Sequence, residues 1–380
     1  MLLSVAGLLL AGPFLLPVSA QKEPFRQALP GYAYDFPRDF FSHDDYRIEW
    51  WYYTGNLADV SGREFGYQLT FFRVALDPEK SGSNPSRWSI GQIYFAHMTV
   101  SDLEEERFYF FERINRHGLD IAGADSNRLN VWNEDWLLTR QGPGQLLSAQ
   151  EDGTGIELLL VPQKPLVVHG QDGVSQKGEG AGNASHYFSY TRLSTTGKVT
   201  IKGKEYTVTG TSWMDHEYSS NQLNPAQIGW DWFSIKLNDG SELMLYQIRL
   251  RDGGIDPYSS GSFIEVGGQS RHLQREAFSI QARDEWESPH SGITYPAVWD
   301  IKVPSLGIDL KVEPDMEDQE LYALRSINRS YWEGSVSVRG HSGGKAVTGK
   351  GYVELVGYGK ALEQTLPGEN INGAESGSDR

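Results

Sequence analysis

The sequence predicts an all-β fold, two antiparallel β-barrel domains in tandem, and three observations carry that prediction. Apolar and polar residues alternate with a period of two in segment after segment, while helical periodicity is weak past residue 21. Aromatic residues make up 12% of the 380 positions and glycines number 42, which suits many strands joined by tight turns. An aromatic hairpin with a Tyr-Gln pair in its return strand occurs near residue 50 and again near residue 230. Closed barrels would also remove the sheet edges that an all-β protein must protect.

Taken in order, the first twenty residues, MLLSVAGLLLAGPFLLPVSA, carry no charged side chain, and the apolar run from Leu2 to Leu16 is short for a membrane span. Val18-Ser19-Ala20 resembles a signal-peptidase site, so residues 1–20 are read as a signal peptide cleaved before Gln21, and the mature chain is expected in the periplasm or outside the cell. The leader lacks the usual Lys or Arg, and a buried N-terminal helix is the alternative. The chain has no cysteine, which excludes a lipoprotein anchor, disulfides, zinc–thiolate sites and thiol catalysis. A net charge of −16 without a basic patch argues against nucleic acid as a partner.

The stretch EWWYYTGNL, residues 49–57, reads as the first strand of the N-terminal domain. Residues 64–71 place Phe65, Tyr67, Leu69 and Phe71 on one face. Residues 206–218, 243–248 and 352–356 read as further strands, with turns at 59–62, 238–240 and 251–254. The segment GQDGVSQKGEGAGN, residues 170–183, reads as a long polar loop. Residues 221–225, NQLNP, interrupt the alternation, which divides the chain into an N-terminal domain over 21–222 and a C-terminal domain over 223–363. The tail 364–380 is polar and expected to be disordered.

Reactive side chains concentrate at Trp213-Met214-Asp215-His216-Glu217-Tyr218. On a strand, Trp213, Asp215 and Glu217 share one face, and His216 and Tyr218 the other, so only one set can line a given barrel cavity. His216 and Tyr218 beside an aromatic wall suit proton delivery to an apolar substrate, leaving Asp215 and Glu217 behind them or in water. A strand that merely closes a barrel, its charges solvated, is the bland alternative. Glu49 shares its face with Trp51 and Tyr53. Among rings its pKa should rise and keep it a proton donor; an ion pair with Arg47 or Arg73 is the rival. His97 reads as a hydrogen-bonded core histidine or a contributor to the site. Nucleophile-elbow, Rossmann and P-loop patterns are absent, and the nine histidines show no ligand spacing, so neither metal nor cofactor is expected.

The stretches EWWYYTGNL, FGYQLTFFR, GTSWMDHEYSS, GWDWFSIKL with LMLYQIR, and YWEGSVSV with GYVELVGY together resemble the AttH/CrtC-like proteins, in order over residues 44–360. That family includes carotenoid 1,2-hydratases and exported bacterial proteins described as lipocalin-like or as secreted hydrolases. The resemblance implies two lipocalin-like barrels. It also implies acid–base residues at Asp215, His216, Tyr218 and Tyr246. Tyr218 stands where tryptophan is expected, and Gln247 where an acid is expected beside the tyrosine.

The expected function is therefore an exported hydratase, lyase or isomerase acting on an unsaturated apolar substrate. Glu49 or His216 would be the proton donor, Tyr246 and Gln247 would orient substrate or water, and Trp51, Tyr53, His97, Trp213 and Trp230 would form the walls. The alternative is a carrier of a lipid or pigment in the cell envelope, which needs the same apolar cavity and no titrating group.

Overall fold

The computed structural model describes residues 25–76, 91–221 and 223–359. The leader with its cleavage site, position 222 and the polar tail lie outside the described residues. Alternating sequence becomes strand nearly everywhere. The first sheet contains β1 (Ile48–Asp59), β2 (Glu64–Ala75), β3 (Gln92–Asp102), β4 (Arg107–Arg116), β5 (Ala122–Ala124), β6 (Asn130–Asn133) and β7 (Trp136–Gln141). It continues through β8 (Gly144–Glu151), β9 (Thr154–Pro162), β10 (Val167–Val168), β11 (Ser175–Gln176), β12 (Ala184–Ile201) and β13 (Lys204–Ser219). The second sheet contains β14 (Gln227–Leu237), β15 (Glu242–Leu250), β16 (Ser260–Ile264), β17 (Ser270–Gln274) and β18 (Ser279–Glu287). Its remaining strands are β19 (Thr294–Val303), β20 (Ile308–Pro314), β21 (Glu320–Ala323), β22 (Arg329–Ser342) and β23 (Lys345–Val356).

The first sheet runs β4-β3-β2-β1-β13-β12-β9-β8-β7-β6-β5 and curls into a nearly closed barrel. Its ends are joined by side chains: Arg113 and Asn115 of β4 donate to the carbonyl and side-chain oxygens of Asn133 on β6, at 3.0 and 2.8 Å. The second sheet, β17-β16-β15-β14-β23-β22-β20-β19-β18, is a half-barrel. Two lipocalin-like units are thus present, the second a half-barrel where a closed one was expected. The sheets change over between Ser219 and Gln227.

Each sheet has its own core. Trp51, Tyr53, Tyr67, Leu69, Phe71 and Tyr218 are among the buried residues inside the barrel. Phe233, Leu245, Trp299 and Trp332 belong to the core of the half-barrel. A third cluster, with Tyr52, Tyr187, Trp213, Trp232 and Tyr246, fills the seam where the two sheets pack on each other. The approach is close: a Cβ on Gly66 of β2 would meet the Tyr352 hydroxyl of β23 at 2.7 Å. Asn56 reaches across to Ser335 at 2.9 Å.

The period of two therefore sorts side chains between barrel and seam. On β1, Glu49, Trp51 and Tyr53 point into the barrel, and Trp50 and Tyr52 into the seam. On β13, Met214, His216 and Tyr218 face the barrel while Trp213, Asp215 and Glu217 face the seam. Neither set is solvated; Asp215 is 4% exposed and Glu217 is 5%. That corrects the expectation of charges facing water, and the cause is the second sheet lying on what would otherwise be the barrel's outer wall. Residues 170–183, read as a polar loop, contain the two-residue β11 and bury Ser175 and Lys177 against the seam and Val174 in the barrel core.

Candidate functional site

Two polar centres lie back to back across β13. The barrel centre is built on Glu49. Register places it directly opposite Arg73 of β2, and Arg73 Nε donates to Glu49 Oε2 at 3.0 Å. The backbone N–H of His43 donates to the same oxygen at 2.9 Å. The other oxygen, Oε1, meets His43 Nδ1 at 2.8 Å and His216 Nε2 at 2.9 Å. His43 Nε2 lies 3.2 Å from Asp39 Oδ1, which also accepts from the Tyr32 hydroxyl at 2.9 Å. Tyr218 stacks on the His43 ring with centroids 3.6 Å apart.

Burial opposes charge on Glu49, yet His43, Arg73 and the hydrogen bonds of His216 outweigh it and hold its pKa well below the usual carboxylate range. Glu49 is an anion, and the expectation of a protonated donor is reversed. The arginine that pairs with it is Arg73. His43 is opposed by burial but raised by Glu49 and Asp39, whereas burial pushes His216 down. The result is a compensated network whose anion holds two imidazoles.

The seam centre carries four carboxyl groups: the buried Asp215 and Glu217 on β13 and Glu333 on β22, and the half-buried Glu354 on β23. Asp215 Oδ1 accepts from Trp213 Nε1 at 2.6 Å and from the Ser189 hydroxyl, and Oδ2 accepts from the Tyr187 hydroxyl at 2.6 Å. Those donors favour the anion, but burial wins, helped by the charge of Glu217, and the pKa of Asp215 is pushed up to about 7. Glu354, which accepts from Trp230 Nε1 at 2.9 Å, is pushed up to about 7 by burial and by the charges of Asp215 and Glu217. Burial and Glu354 raise Glu333 well above the usual range, and it accepts from the Tyr52 hydroxyl at 2.6 Å. Glu217 has a cation close by, Lys177 at 3.4 Å, whose Nζ also sits 3.9 Å from the Tyr246 ring centroid. Behind Asp215, Ser189 leads to His169 at 2.7 Å and on to Ser262 at 2.9 Å.

Of the residues singled out in sequence, Asp215, Trp213, Trp230 and Tyr246 meet at the seam. Glu49, His216, Tyr218 and Trp51 meet in the barrel, with Trp51 and His216 rings 4.9 Å apart. Tyr53 is in the barrel but elsewhere, donating to Gln145 at 2.9 Å. His97 joins neither: its two nitrogens bond Tyr331 at 2.7 Å and Ser326 at 2.8 Å, and burial lowers its pKa to about 3. It ties β3 to the second sheet. Gln247 does not accompany Tyr246, because adjacent strand residues point to opposite faces; it bonds Asp231 at 2.8 Å on the half-barrel side. The acid linked to Tyr246 is instead Glu217, through Lys177, while Glu354 and Glu333 stand further along the seam. These last two stand in the quoted GYVELVGY and YWEGSVSV stretches, and an acid at an inward position of an alternating strand was the signal for them. His43, Asp39, Lys177 and Tyr187 carried no such signal.

A barrel and half-barrel sharing a polar seam define a lipocalin-like tandem β protein. The chain belongs to the AttH-like family, whose profile matches residues 27–358. An AttH protein from Nitrosomonas europaea is 34% identical, covering 88% of this chain and 100% of its own, with a TM-score of 0.79. Kievitone hydratase from Nectria haematococca shares the fold at 16% identity and TM-score 0.67, over 88% of this chain and 98% of its own. CghA, solved with Sch210972, does so at 11% identity and TM-score 0.51, over 87% of this chain and 94% of its own. No match is found among curated proteins.

Proposed function

We propose that this AttH-like protein is an exported hydro-lyase or isomerase that protonates a carbon–carbon double bond of an apolar substrate at the seam. One observation carries the reading: Asp215, walled by Trp213, Trp232 and Tyr187, holds its proton to about pH 7. An acid with a pKa near the working pH is the most effective proton donor. In hydration, the Asp215 proton forms a C–H bond as the π bond breaks, leaving a cation on the neighbouring carbon. The indole and phenol faces of the seam stabilise that cation, since aromatic quadrupoles attract positive charge. Water then forms the C–O bond and gives its proton to the Glu354 carboxylate, from which Asp215 is recharged. Isomerisation is the same protonation followed by loss of a different proton. Trp50 and Trp230 are only partly buried where they pack on this cluster, so substrate enters there as the seam parts.

Three things support the reading besides geometry: the uncharged apolar leader for export, membership of the family, and a hydratase among proteins of the same fold. The test is turnover of polyenes, terpenoids and unsaturated lipids in deuterated water. Wild type should place solvent deuterium on carbon, and Asp215→Asn should be slower by roughly 10²–10⁴-fold with an unchanged circular-dichroism spectrum. Equal rates in the two proteins would sink the assignment. A stoichiometric, unaltered lipid in native mass spectra, without turnover, would favour the carrier.

A further inference from the structure

We infer that the barrel centre is a metal site, binding one divalent ion of zinc-like character through His43 Nδ1, Glu49 Oε1 and His216 Nε2. The three donors come from the segment before β1, from β1 and from β13, are fully buried, and lie within 4.8 Å of one another. Two imidazoles and a carboxylate are the donor set of borderline cations such as Zn²⁺, Co²⁺ and Fe²⁺. Around an ion with bonds of about 2.1 Å, tetrahedral donors sit about 3.4 Å apart. The present spacings of 2.8 and 2.9 Å from Oε1 to the two nitrogens need to open by about 0.5 Å.

Two further observations set this apart from a chance cluster. The two oxygens of Glu49 divide their work: Oε2 takes Arg73 and the His43 backbone N–H, while Oε1 faces only the two histidines. The outer shell is in place for His43, while the buried Nδ1 of His216 has no hydrogen-bond partner among the described residues. His43 bonds Asp39 through Nε2, so when the ion displaces the Nδ1 hydrogen that now bonds Glu49, Nε2 keeps its own hydrogen and Asp39 holds the ring in place. Asp39 is in turn fixed by the Tyr32 hydroxyl and by the Asp35 backbone N–H at 2.6 Å. Charge permits it: His43, which shares a proton with Glu49 and Asp39, would bind as neutral imidazole, and the ion's charge would replace that of the proton released. There is a way in. A cavity of about 220 Å³, lined by Arg26, Tyr32, Tyr46 and His186 among others, opens at the Tyr32 end of this chain of contacts. Such an ion would pin the residues preceding β1 onto the barrel wall, a structural role independent of chemistry at the seam.

The experiment uses the mature chain, stripped with chelator and reloaded with Zn²⁺ or Co²⁺. One ion per chain by elemental analysis, the visible bands of a low-symmetry Co²⁺ site, a raised Tm and slower proteolysis of residues 25–46 are expected. His43→Ala should abolish the Co²⁺ bands. Asp39→Asn, which keeps all three ligands, should weaken Zn²⁺ binding by about 10–100-fold. Should His43→Ala fail to fold, X-ray absorption of the Co²⁺-loaded wild type decides: two imidazoles in the first shell support the site, and none overturns it. No uptake by folded, stripped wild type, or full uptake by folded His43→Ala, also overturns it.

Discussion

The two faces of β13 carry polar centres of opposite electrostatic design. In the barrel, the anion Glu49 is met by Arg73 and His43, so charges cancel and an acid stays ionised despite complete burial. At the seam, among the described residues, four acids meet one lysine, so charge does not cancel and protons are retained instead. The residues are neighbours in sequence, Asp215 beside His216, and equally buried. Burial alone therefore decides neither behaviour; the balance of nearby cations does. A network at electrostatic balance suits rigidity or a metal, and one short of cations suits proton transfer.

The sharpest way to break this comparison is to set Asp215→Asn against His216→Ala. The first should lose roughly 10²–10⁴-fold in turnover at unchanged fold. His216→Ala should act mainly on stability, read by urea unfolding. If the folded His216 variant loses as much turnover as Asp215→Asn, the chemistry belongs to the barrel. Next in size, Arg73→Met strands a buried carboxylate beside His43, and chemical denaturation should show a loss of about 3–5 kcal/mol.

Acid–base behaviour sharpens the contrast. Asp215 and Glu354 have folded pKa values near 7, above the ordinary 3.8 and 4.5, so the folded state binds more protons between about pH 4 and 7. Stability from these groups is full below pH 4 and is lost as pH rises through 7, on the order of a few kcal/mol. Glu49 runs the other way: its depressed pKa adds stability above its ordinary 4.5 that is lost as pH falls through the folded value. Unfolding curves across pH should show both limbs, and Asp215→Asn should flatten only the upper one. At the small end, Lys350 bridges to Glu64 across the seam at 3.1 Å and to Asp315 at 3.3 Å, its own side chain one-third exposed and that of Glu64 half exposed. Lys350→Ala should cost no more than about 1 kcal/mol, and less at high salt.

Strand positions were legible because alternation is local. Phe65, Tyr67, Leu69 and Phe71 share one buried face as their spacing demands, and the turns at 59–62 and 238–240 fall where glycine and aspartate mark them. Even the split of Asp215 from His216 could be read, because successive side chains leave a strand on opposite sides. The same rule was enough to separate Gln247 from Tyr246. The partners of those faces were not legible. Glu333 reaches Tyr52 only because β22 packs over β1, and Glu354 reaches Trp230 only because the distant β23 pairs with β14.

By itself, then, the sequence determined which residues would be strands, which side chains would share a face, and the family, since these rest on bond geometry and on motifs that stay contiguous. Tertiary structure alone decided what each face would meet. It set Glu49 against Arg73 through the register of β1 on β2, and placed a second sheet over Asp215 where water was expected. The physical reason is that a carboxyl group's protonation depends on the water it loses and the charges it gains. Both are supplied by segments far along the chain, whose arrival no local spacing encodes.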